Sequence, residues 1–275
     1  MTDFLFANLP WAALGLSFLL CLAVSALGFR RVDWFISLGY GFSIAAEAVL
    51  YALLYRGALS IWLVAQLVLL FAYGIRLGSY LVTRERAPSF ARELEASKER
   101  SANIRGGVKF AIWVSVSALY VAMASPALFS LSAAASASPL PSLPLGVVIM
   151  LAGLVLETLA DWQKARLKAQ NPKTFVQQGL YAIVRCPNYF GEMLFWFGLF
   201  VSGISAYTSL GNWLLAAGGL VCIELIMLGS ARRLELKQAE RYGGDPAYRD
   251  YVRRVPILLP LVPLYSLRDL KVYLG

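Results

Sequence analysis

The residues best suited to chemistry begin with a polar loop that leads into an apolar stretch. Arg185, Asn188 and Glu192 lie within residues 179–192, GLYAIVRCPNYFGE, directly before MLFWFGLFVSGI. Polar groups at the start of a bilayer helix are costly, and they usually line a cavity or a ligand path. Pro187 disfavours helical geometry at Cys186, so we expect a helix to start near Asn188 with free amide groups able to face an anion.

Several other polar side chains interrupt apolar stretches: Glu47, Gln66, Tyr73, Arg76, Glu157, Asp161, Glu192 and Glu224. A charged side chain in mid-bilayer costs on the order of 3 kcal/mol on insertion scales. Glu157 and Asp161 are four residues apart and share a helix face, which Lys164 and Lys168 continue. We interpret the set as a polar chamber that opens to the cytoplasm. An ion pair between Glu47 and Arg76 is the simpler alternative for those two residues.

Several kinds of site are excluded by residue content. The chain has no histidine, and its three cysteines, Cys21, Cys186 and Cys222, form no CxxC pair. A Ser-His-Asp or Cys-His catalytic arrangement is therefore excluded, and neither a zinc nor a haem site is expected. Gly106-Gly107 and Gly243-Gly244 are isolated pairs, so no Walker or GxGxxG loop is present.

The elements that must position these residues are membrane helices. Hydrophobic residues make up 59% of the chain, charged residues 15%, and mean hydropathy is +0.64. Apolar stretches long enough to span a bilayer are predicted at 9–29, 34–55, 59–82, 108–131, 143–163, 189–207 and 210–230. We therefore predict an all-α, polytopic membrane protein with seven transmembrane helices. It forms a single domain over 1–275, with substrate-side helices in 1–131 and cofactor-side helices, loops and tail in 145–275.

The basic residues predict an orientation. All but two of the 25 lysines and arginines, Arg56 and Arg76, fall on one alternating set of loops or on the tail. The positive-inside rule then places the N-terminus outside and the C-terminus in the cytoplasm. The net charge of +9 is explained by cytoplasmic loops beside anionic lipid, so no nucleic-acid partner is expected.

Three connecting segments carry their own predictions. The loop 83–107 mixes both charge signs and predicts a short amphipathic helix on the membrane face. The Ala/Ser/Pro-rich segment 132–144 reads as an external linker. The tail after 230 is expected to be helical as far as the glycine pair at 243–244. It then turns back through VPILLPLVPLY, which is too short and too rich in proline to span a bilayer.

Three segments together, ETLADWQKARLK, GLYAIVRCPNYFGE and AYRDYVRRVPILLP, resemble the steroid 5-alpha-reductase family and its bacterial relatives. The resemblance covers about residues 40–260. It implies a seven-helix membrane enzyme that uses NADPH to saturate the carbon–carbon double bond of an enone, as in 3-oxo-Δ4 steroids. Two departures are that Cys186 stands where many bacterial relatives have histidine, and Glu157 where some animal members have asparagine.

The resemblance also implies roles for single residues. Glu47 is similar to the family's glutamate at the substrate ketone, Tyr73 and Arg76 match its Tyr-x-x-Arg, and Asn188 and Glu192 match its Asn-x-x-Gly-Glu. Glu47 and Tyr73 are the expected catalytic pair, because a phenol and a buried, neutral carboxyl can polarise a carbonyl oxygen. Arg76, Asn188 and Glu192 are expected to bind the cofactor. The other predicted cofactor-binding residues are Arg86, Glu157, Asp161, Lys168, Arg185, Tyr189 and Arg233. Among them the cations Arg86, Lys168, Arg185 and Arg233 are expected at the phosphates.

The expected partners are NADPH, a steroid-like substrate that arrives laterally from lipid, and the bilayer itself, without a metal. The expected location is a bacterial inner membrane, with the active site open to the cytoplasm. Two alternatives remain open. Membrane methyltransferases of the isoprenylcysteine and phospholipid types carry a similar Arg-His-Pro-x-Tyr loop and bind S-adenosylmethionine. A non-catalytic sterol-binding membrane protein is the other.

Overall fold

The computed structural model describes residues 9–86 and 91–274, and helices make up most of both ranges. No strand occurs in those two ranges. The α-helices are α1 (Trp11–Ser25), α2 (Asp33–Ile36), α3 (Leu38–Leu54), α4 (Ile61–Arg86), α5 (Ala91–Asn103), α6 (Gly106–Ala135), α7 (Leu143–Gln170), α8 (Pro187–Gly203), α9 (Leu210–Tyr242) and α10 (Pro246–Arg254). Short 3-10 turns cover Ala26–Phe29, Gly179–Ala182 and Ile204–Ala206.

Seven helical stretches in the described ranges are long and apolar enough to cross a membrane, which confirms the predicted fold class. They are Trp11–Phe29, Asp33–Leu54, Ile61–Arg86, Gly106–Ala135, Leu143–Gln170, Pro187–Ala206 and Leu210–Tyr242. The sixth begins at Pro187, one residue before the predicted start, because proline fits the first turn of a helix, where its missing N–H is not needed.

Several helices outlast the apolar stretches that predicted them. The apolar stretches were predicted to end at 82, 163 and 230, and the helices continue to Arg86, Gln170 and Tyr242. Hydropathy marks only the part of a helix that lies in lipid, whereas the helix itself continues until a residue stops it. Asn171-Pro172 follows α7, and Gly243-Gly244 follows α9, as predicted for the tail.

The loop predicted at 83–107 contains the expected short helix, α5, while its residues 87–90 lie outside the described residues. The Ser97 hydroxyl donates to Asp33 Oδ1 at 2.5 Å, and the Ser101 hydroxyl accepts from the Val32 amide at 3.0 Å. Arg31 in turn pairs with Asp33 and Glu85. These contacts fasten α5 to the turn between the first two spans.

The chain divides into two compact units. Unit 1 comprises Met1–Val147 and Leu199–Leu220, and unit 2 comprises Val148–Gly198 and Val221–Gly275. Unit 1 therefore joins the first half of the sequence to a later segment, because each of the last three spans contributes one end to unit 1 and the other to unit 2.

Glycine allows two helices of unit 1 to approach closely. A Cβ placed on Gly41 of α3 would lie 2.9 Å from the Gly74 oxygen and 2.9 Å from the Gly78 nitrogen of α4. Backbone-to-backbone packing at small residues is the usual way that membrane helices associate, since lipid removes the hydrophobic driving force. This close contact sets the distance between α3 and α4, and with it the positions of the side chains that flank the contact.

In unit 2, glycines likewise allow α7 and α8 to approach closely. A Cβ on Gly153 would meet the Phe195 nitrogen at 2.5 Å, and one on Gly191 would meet the Glu157 nitrogen at 2.6 Å.

The tail turns back as predicted. The amides of Arg185 and Cys186 donate to the carbonyls of Pro256 and Ile257, both at 2.9 Å.

Candidate functional site

Glu47, the predicted catalytic carboxyl, is fully buried in α3 of unit 1. The hydroxyl of Tyr51, one turn further along the helix, donates to Glu47 Oε1 at 3.3 Å. Ser17 of α1 donates to the Tyr51 hydroxyl at 3.0 Å. Glu47 is thus held at one end of a three-residue hydrogen-bonded chain.

Tyr73, the predicted catalytic phenol, is fully buried in α4. Its hydroxyl shares a hydrogen bond of 2.8 Å with the hydroxyl of Tyr40, in which either oxygen can donate. Tyr120 stacks on the Tyr40 ring with centroids 5.5 Å apart, and its hydroxyl donates to the Phe35 carbonyl at 2.6 Å. Tyr73 therefore belongs to a group of three buried tyrosines in unit 1.

Sequence reasoning did not assign Tyr40 and Tyr51 as partners of the predicted pair. The signal was available, because Tyr40, Ile44, Glu47 and Tyr51 recur at helical spacing and all four are buried. Arg76, three residues after Tyr73, is half-buried in α4.

The predicted carboxylates of unit 2 lie along the α7–α8 approach. Glu157 is buried against Gly191, the residue before Glu192, and Glu192 is buried as well. Asp161, one turn after Glu157, is half-buried. The close approach of the two backbones therefore places polar groups of both helices at one level of unit 2.

Cations gather in a cavity of about 150 Å³ in unit 2, which we call the cationic pocket. Three predicted residues, Lys168, Arg185 and Asn188, line it. So do nine others: Lys164, Phe175, Val176, Tyr181, Leu234, Lys237, Gln238, Arg241 and Tyr242. The lining thus contains five basic side chains, three aromatic rings and no carboxylate. Such a pocket suits an anion joined to a flat ring system.

Two of the predicted cations also hold the fold together. The Lys168 ammonium donates to the Tyr242 hydroxyl at 2.9 Å and to the carbonyls of Pro172 and Thr174. These contacts use all three of its donors. The Arg185 side chain, 1% exposed, pairs with Glu235 at 3.4 Å and donates to the Tyr265 carbonyl. Its Nε has no hydrogen-bond partner among the described residues.

Lys164, Lys237 and Arg241 were not among the predicted site residues, although all three line the cationic pocket. Lys237 and Arg241 lie one turn apart on the extension of α9, where each reads as an ordinary charge of a cytoplasmic tail. Their spacing from Leu234 and Gln238, at i+3, i+4 and i+7, was the available signal for one shared face.

Other predicted cofactor residues lie elsewhere in their units. Tyr189 packs against the apolar cluster of Cys186, Ile257 and Leu258. Arg233 is exposed and donates to the Ser230 hydroxyl at 3.0 Å, and Arg86 is exposed at the end of α4. None of the three is part of the lining of the cationic pocket.

The thiol of Cys186, the residue after Arg185, is buried in the apolar cluster that includes Ile257 and Leu258. Burial raises the pKa of Cys186 to about 12, although the positive charges of Arg185 and Lys164 oppose the shift. A thiol in this state is a small apolar side chain and a poor nucleophile. Within 9–86 and 91–274, no three histidine, cysteine, aspartate or glutamate residues are grouped so that they could hold a metal ion.

Comparison with known proteins gives one match. The sequence profile of a family described as "protein of unknown function (DUF1295)" matches residues 28–255, and that family is associated with steroid 5-alpha-reductase-like membrane proteins. Neither the curated proteins nor the solved structures contain a significant match to the chain.

Proposed function

The chain belongs to the DUF1295 family, and from this premise we propose that it is an NADPH-dependent reductase of the enone double bond. The proposed substrate is lipophilic, such as a 3-oxo-Δ4 steroid, and reaches the protein through the bilayer. The activity would be that of a 3-oxo-5-alpha-steroid 4-dehydrogenase-like oxidoreductase. The proposed location is a bacterial inner membrane, with the nucleotide site open to the cytoplasm, and rests on the distribution of basic residues.

The observation that carries the proposal is the composition of the cationic pocket. Five basic side chains converge there without a lining carboxylate, whereas the whole chain has 25 basic and 16 acidic residues. The pyrophosphate and 2′-phosphate of NADPH need charge-assisted donors, and arginine and lysine supply them. Arg185, which lines this pocket, also has a buried Nε without a partner among the described residues, a donor that a ligand oxygen could satisfy.

The residues that would hold the nucleotide follow from their positions. Lys164, Lys237 and Arg241 would contact phosphate, and Lys168 and Arg185 would add positive potential. Asn188, half-buried in the first turn of α8, would hydrogen-bond the ribose or the amide of the nicotinamide. When bound, NADPH would supply the hydride that saturates the double bond.

Tyr73 and Glu47 are the candidate electrophiles for the substrate carbonyl. Negative charge develops on that oxygen during enone reduction, and a donor in a dry pocket stabilises it more than it stabilises the neutral ketone. Tyr73 can donate its proton to the carbonyl while it accepts one from Tyr40, since the bond between the two hydroxyls allows either direction. Glu47, held by Tyr51, is the second candidate donor in its neutral form.

The pocket's charge also argues against the methyltransferase alternative. S-adenosylmethionine carries a sulfonium cation, an ammonium group and one carboxylate, so its net charge is positive, and it has no phosphate. Five lysine and arginine side chains around one cavity would repel such a ligand and attract a dinucleotide phosphate.

The test is nucleotide binding by the purified full chain in neutral detergent, followed by turnover of a panel of enones. We expect NADPH to bind about ten- to a hundredfold more tightly than NADH, because the 2′-phosphate adds a charge-assisted contact of roughly 1.5–3 kcal/mol. Binding of S-adenosylmethionine instead of NADPH would contradict the proposal.

A matched pair of variants localises the binding. Lys164→Gln removes a pocket cation, whereas Arg166→Gln removes a cation from the same helix that is exposed and lies over the Trp162 ring. We expect NADPH affinity to fall at least about tenfold in the first variant and to change little in the second. Equal effects of the two substitutions would mean that the pocket is not the nucleotide site.

A further inference from the structure

Unit 2 contains a second cavity, of about 460 Å³, which shares no lining residue with the cationic pocket. We call it the arginine pocket, because Arg249, Arg253 and Arg268 line it together with Glu235, Tyr248 and Ser266. None of these residues is used by the proposed reductase, so the inference below does not rest on that function.

Two short elements bring the three arginines together. Arg249 and Arg253 are four residues apart on α10 and therefore share one face of that helix. Asp245 caps the helix by accepting from the Ala247 amide at 2.9 Å, and Pro246 occupies its first turn. Local sequence thus fixes α10 and the direction of its two arginines.

Arg268 comes from the returning tail, and its position is set by the buried residue before it. Leu267 is buried, and its amide donates to Glu235 Oε2 at 2.8 Å. Since Glu235 lies on α9, this bond fastens the tail to the helix that forms one wall of the pocket.

Within the described ranges, two of the three arginines that line the arginine pocket have no acidic partner, and the third shares Glu235 with Arg185. Glu235 is the one carboxylate among the lining residues, and its side chain, 1% exposed, is already paired with Arg185 and the Leu267 amide. Arg268 Nε lies 3.9 Å from Glu235. Arg249 and Arg253 form no ion pair or side-chain hydrogen bond within the described ranges, whereas their neighbour Arg254, which is exposed as they are, pairs with Asp250.

A buried hydroxyl at the same pocket is also unsatisfied. Tyr248 is 2% exposed, and no hydrogen-bond partner for its hydroxyl exists among the described residues. Burial raises the pKa of Tyr248, so the phenol keeps its proton and remains a donor. A buried hydroxyl without a partner costs free energy, and a bound acceptor oxygen would recover it.

We propose that the arginine pocket is a binding site for a phosphate group, carried by a membrane lipid headgroup or by a free phosphoester. Three guanidinium groups and the hydroxyls of Tyr248 and Ser266 match the oxygens of a phosphate, which arginine binds with paired N–H donors. The same tail also exposes Leu261 and Val262, apolar side chains that suit contact with lipid.

The experiment measures binding to the full chain in neutral detergent, with inorganic phosphate and with dihexanoyl phosphatidylglycerol as probes. Dihexanoylglycerol, which lacks the phosphate, and sodium chloride of equal ionic strength are the reference additions. We expect phosphatidylglycerol to bind and dihexanoylglycerol not to bind. Binding of inorganic phosphate as well would identify a free phosphoester as an equally acceptable source, and binding of phosphatidylglycerol alone would identify the lipid headgroup.

Two double variants with the same change in charge separate a site from a generally basic surface. R249Q/R253Q removes two pocket arginines, and R254Q/K271Q removes two exposed cations that do not line it. We expect the first to weaken phosphatidylglycerol binding at least about tenfold and the second less than about threefold. Tyr248→Phe keeps the ring and its packing, and it should weaken binding by an intermediate factor.

Three results would overturn the proposal. The first is that neither probe binds the wild-type chain more strongly than its reference addition. The second is an equal loss in both double variants, which would show that surface charge alone attracts the probe. The third is that R249Q/R253Q lowers NADPH affinity in step with lipid affinity, which would make the cavity part of the nucleotide site. Melting temperatures of all variants report whether folding is retained.

Discussion

The hydroxyl of Tyr73 shares a hydrogen bond with the hydroxyl of Tyr40, and the direction of that bond bears on what Tyr73 can do. If Tyr40 donates, the Tyr73 proton is available to a substrate oxygen. Tyr40 then acts as a positioning residue, because it orients and polarises the phenol without touching the substrate.

Tyr73→Phe should therefore lower the rate of enone reduction by a hundred- to a thousandfold, since loss of one preorganised donor costs about 2.7–4 kcal/mol of barrier. NADPH affinity should be unchanged, because the ring and its packing remain. Tyr40→Phe, which leaves the phenol of Tyr73 in place, should have a smaller effect. Steady-state rates and nucleotide affinity measured for both variants are the check. A near-normal rate in Tyr73→Phe would remove the phenol from the mechanism.

Glu47 offers a second test at the residue scale. Glu47→Gln keeps an acceptor for the Tyr51 hydroxyl and a donor for a carbonyl, so its rate should exceed that of Glu47→Ala if the neutral acid is the working form. Glu47→Ala also leaves the buried Tyr51 hydroxyl without its acceptor. Both variants are to be compared in rate and in melting temperature. A rate for Glu47→Gln that does not exceed that of Glu47→Ala would contradict the role of the neutral acid.

Cys186 should be inert in the folded protein. Burial raises its pKa to about 12, so the thiolate becomes abundant only as the pH rises towards that value. At pH 8 we therefore expect no modification by a charged maleimide, and full modification once the chain is unfolded in dodecyl sulfate. Mass spectrometry of the peptide that contains Cys186 gives the modified fraction. Rapid labelling of the native protein would contradict the burial of this loop.

Among the elements, the membrane helices depend on a few glycines for their spacing. Gly74→Ala would place a Cβ against the Gly41 oxygen, the Ala45 nitrogen and the Ala45 side chain, so α3 and α4 would have to separate. Overpacking of this kind costs about 1–3 kcal/mol. Gly218→Ala, in the interior of α9, is the matched control because nothing lies within 4 Å of its added Cβ. Thermal unfolding in detergent should show a lower melting temperature only for Gly74→Ala, and equal values would contradict the close approach.

For the whole molecule, the orientation in the membrane remains a prediction that labelling can test. Glu99 of α5 and Ser138 of the linker are exposed, and each can be replaced by cysteine in a chain that lacks its three native cysteines. Ser101 is a poor labelling position, because it is buried and its hydroxyl accepts from the Val32 amide.

An impermeant maleimide added to intact cells should label the cysteine at 138 and leave the one at 99 unmodified, since basic loops stay in the cytoplasm. Both positions should react after the cells are permeabilised. Labelling at 99 alone would reverse the orientation, and with it the side from which a nucleotide would enter.

The sequence alone determined the fold class and the seven spans, because a bilayer requires a helix wherever about twenty apolar residues follow one another. The sequence also located the start of α8, because Pro187 disfavours helical geometry at Cys186 and itself fits the first turn of a helix. The glycine pair at 243–244 located the end of α9. Hydropathy could not predict where a helix ends within polar sequence, as α7 does, because it identifies only the part of a helix that lies in lipid.

Tertiary structure decided which charges are available to a ligand. Arg185 and Lys168 were predicted as phosphate cations, but partners 50 and 74 residues away, Glu235 and Tyr242, already hold their side chains. Lys237 and Arg241 looked like ordinary charges of a tail until the fold set them around the cationic pocket. Whether a charged side chain is paired depends on neighbours within a few ångströms. Those neighbours lie far away along the chain, so the sequence alone does not show which residues come into contact.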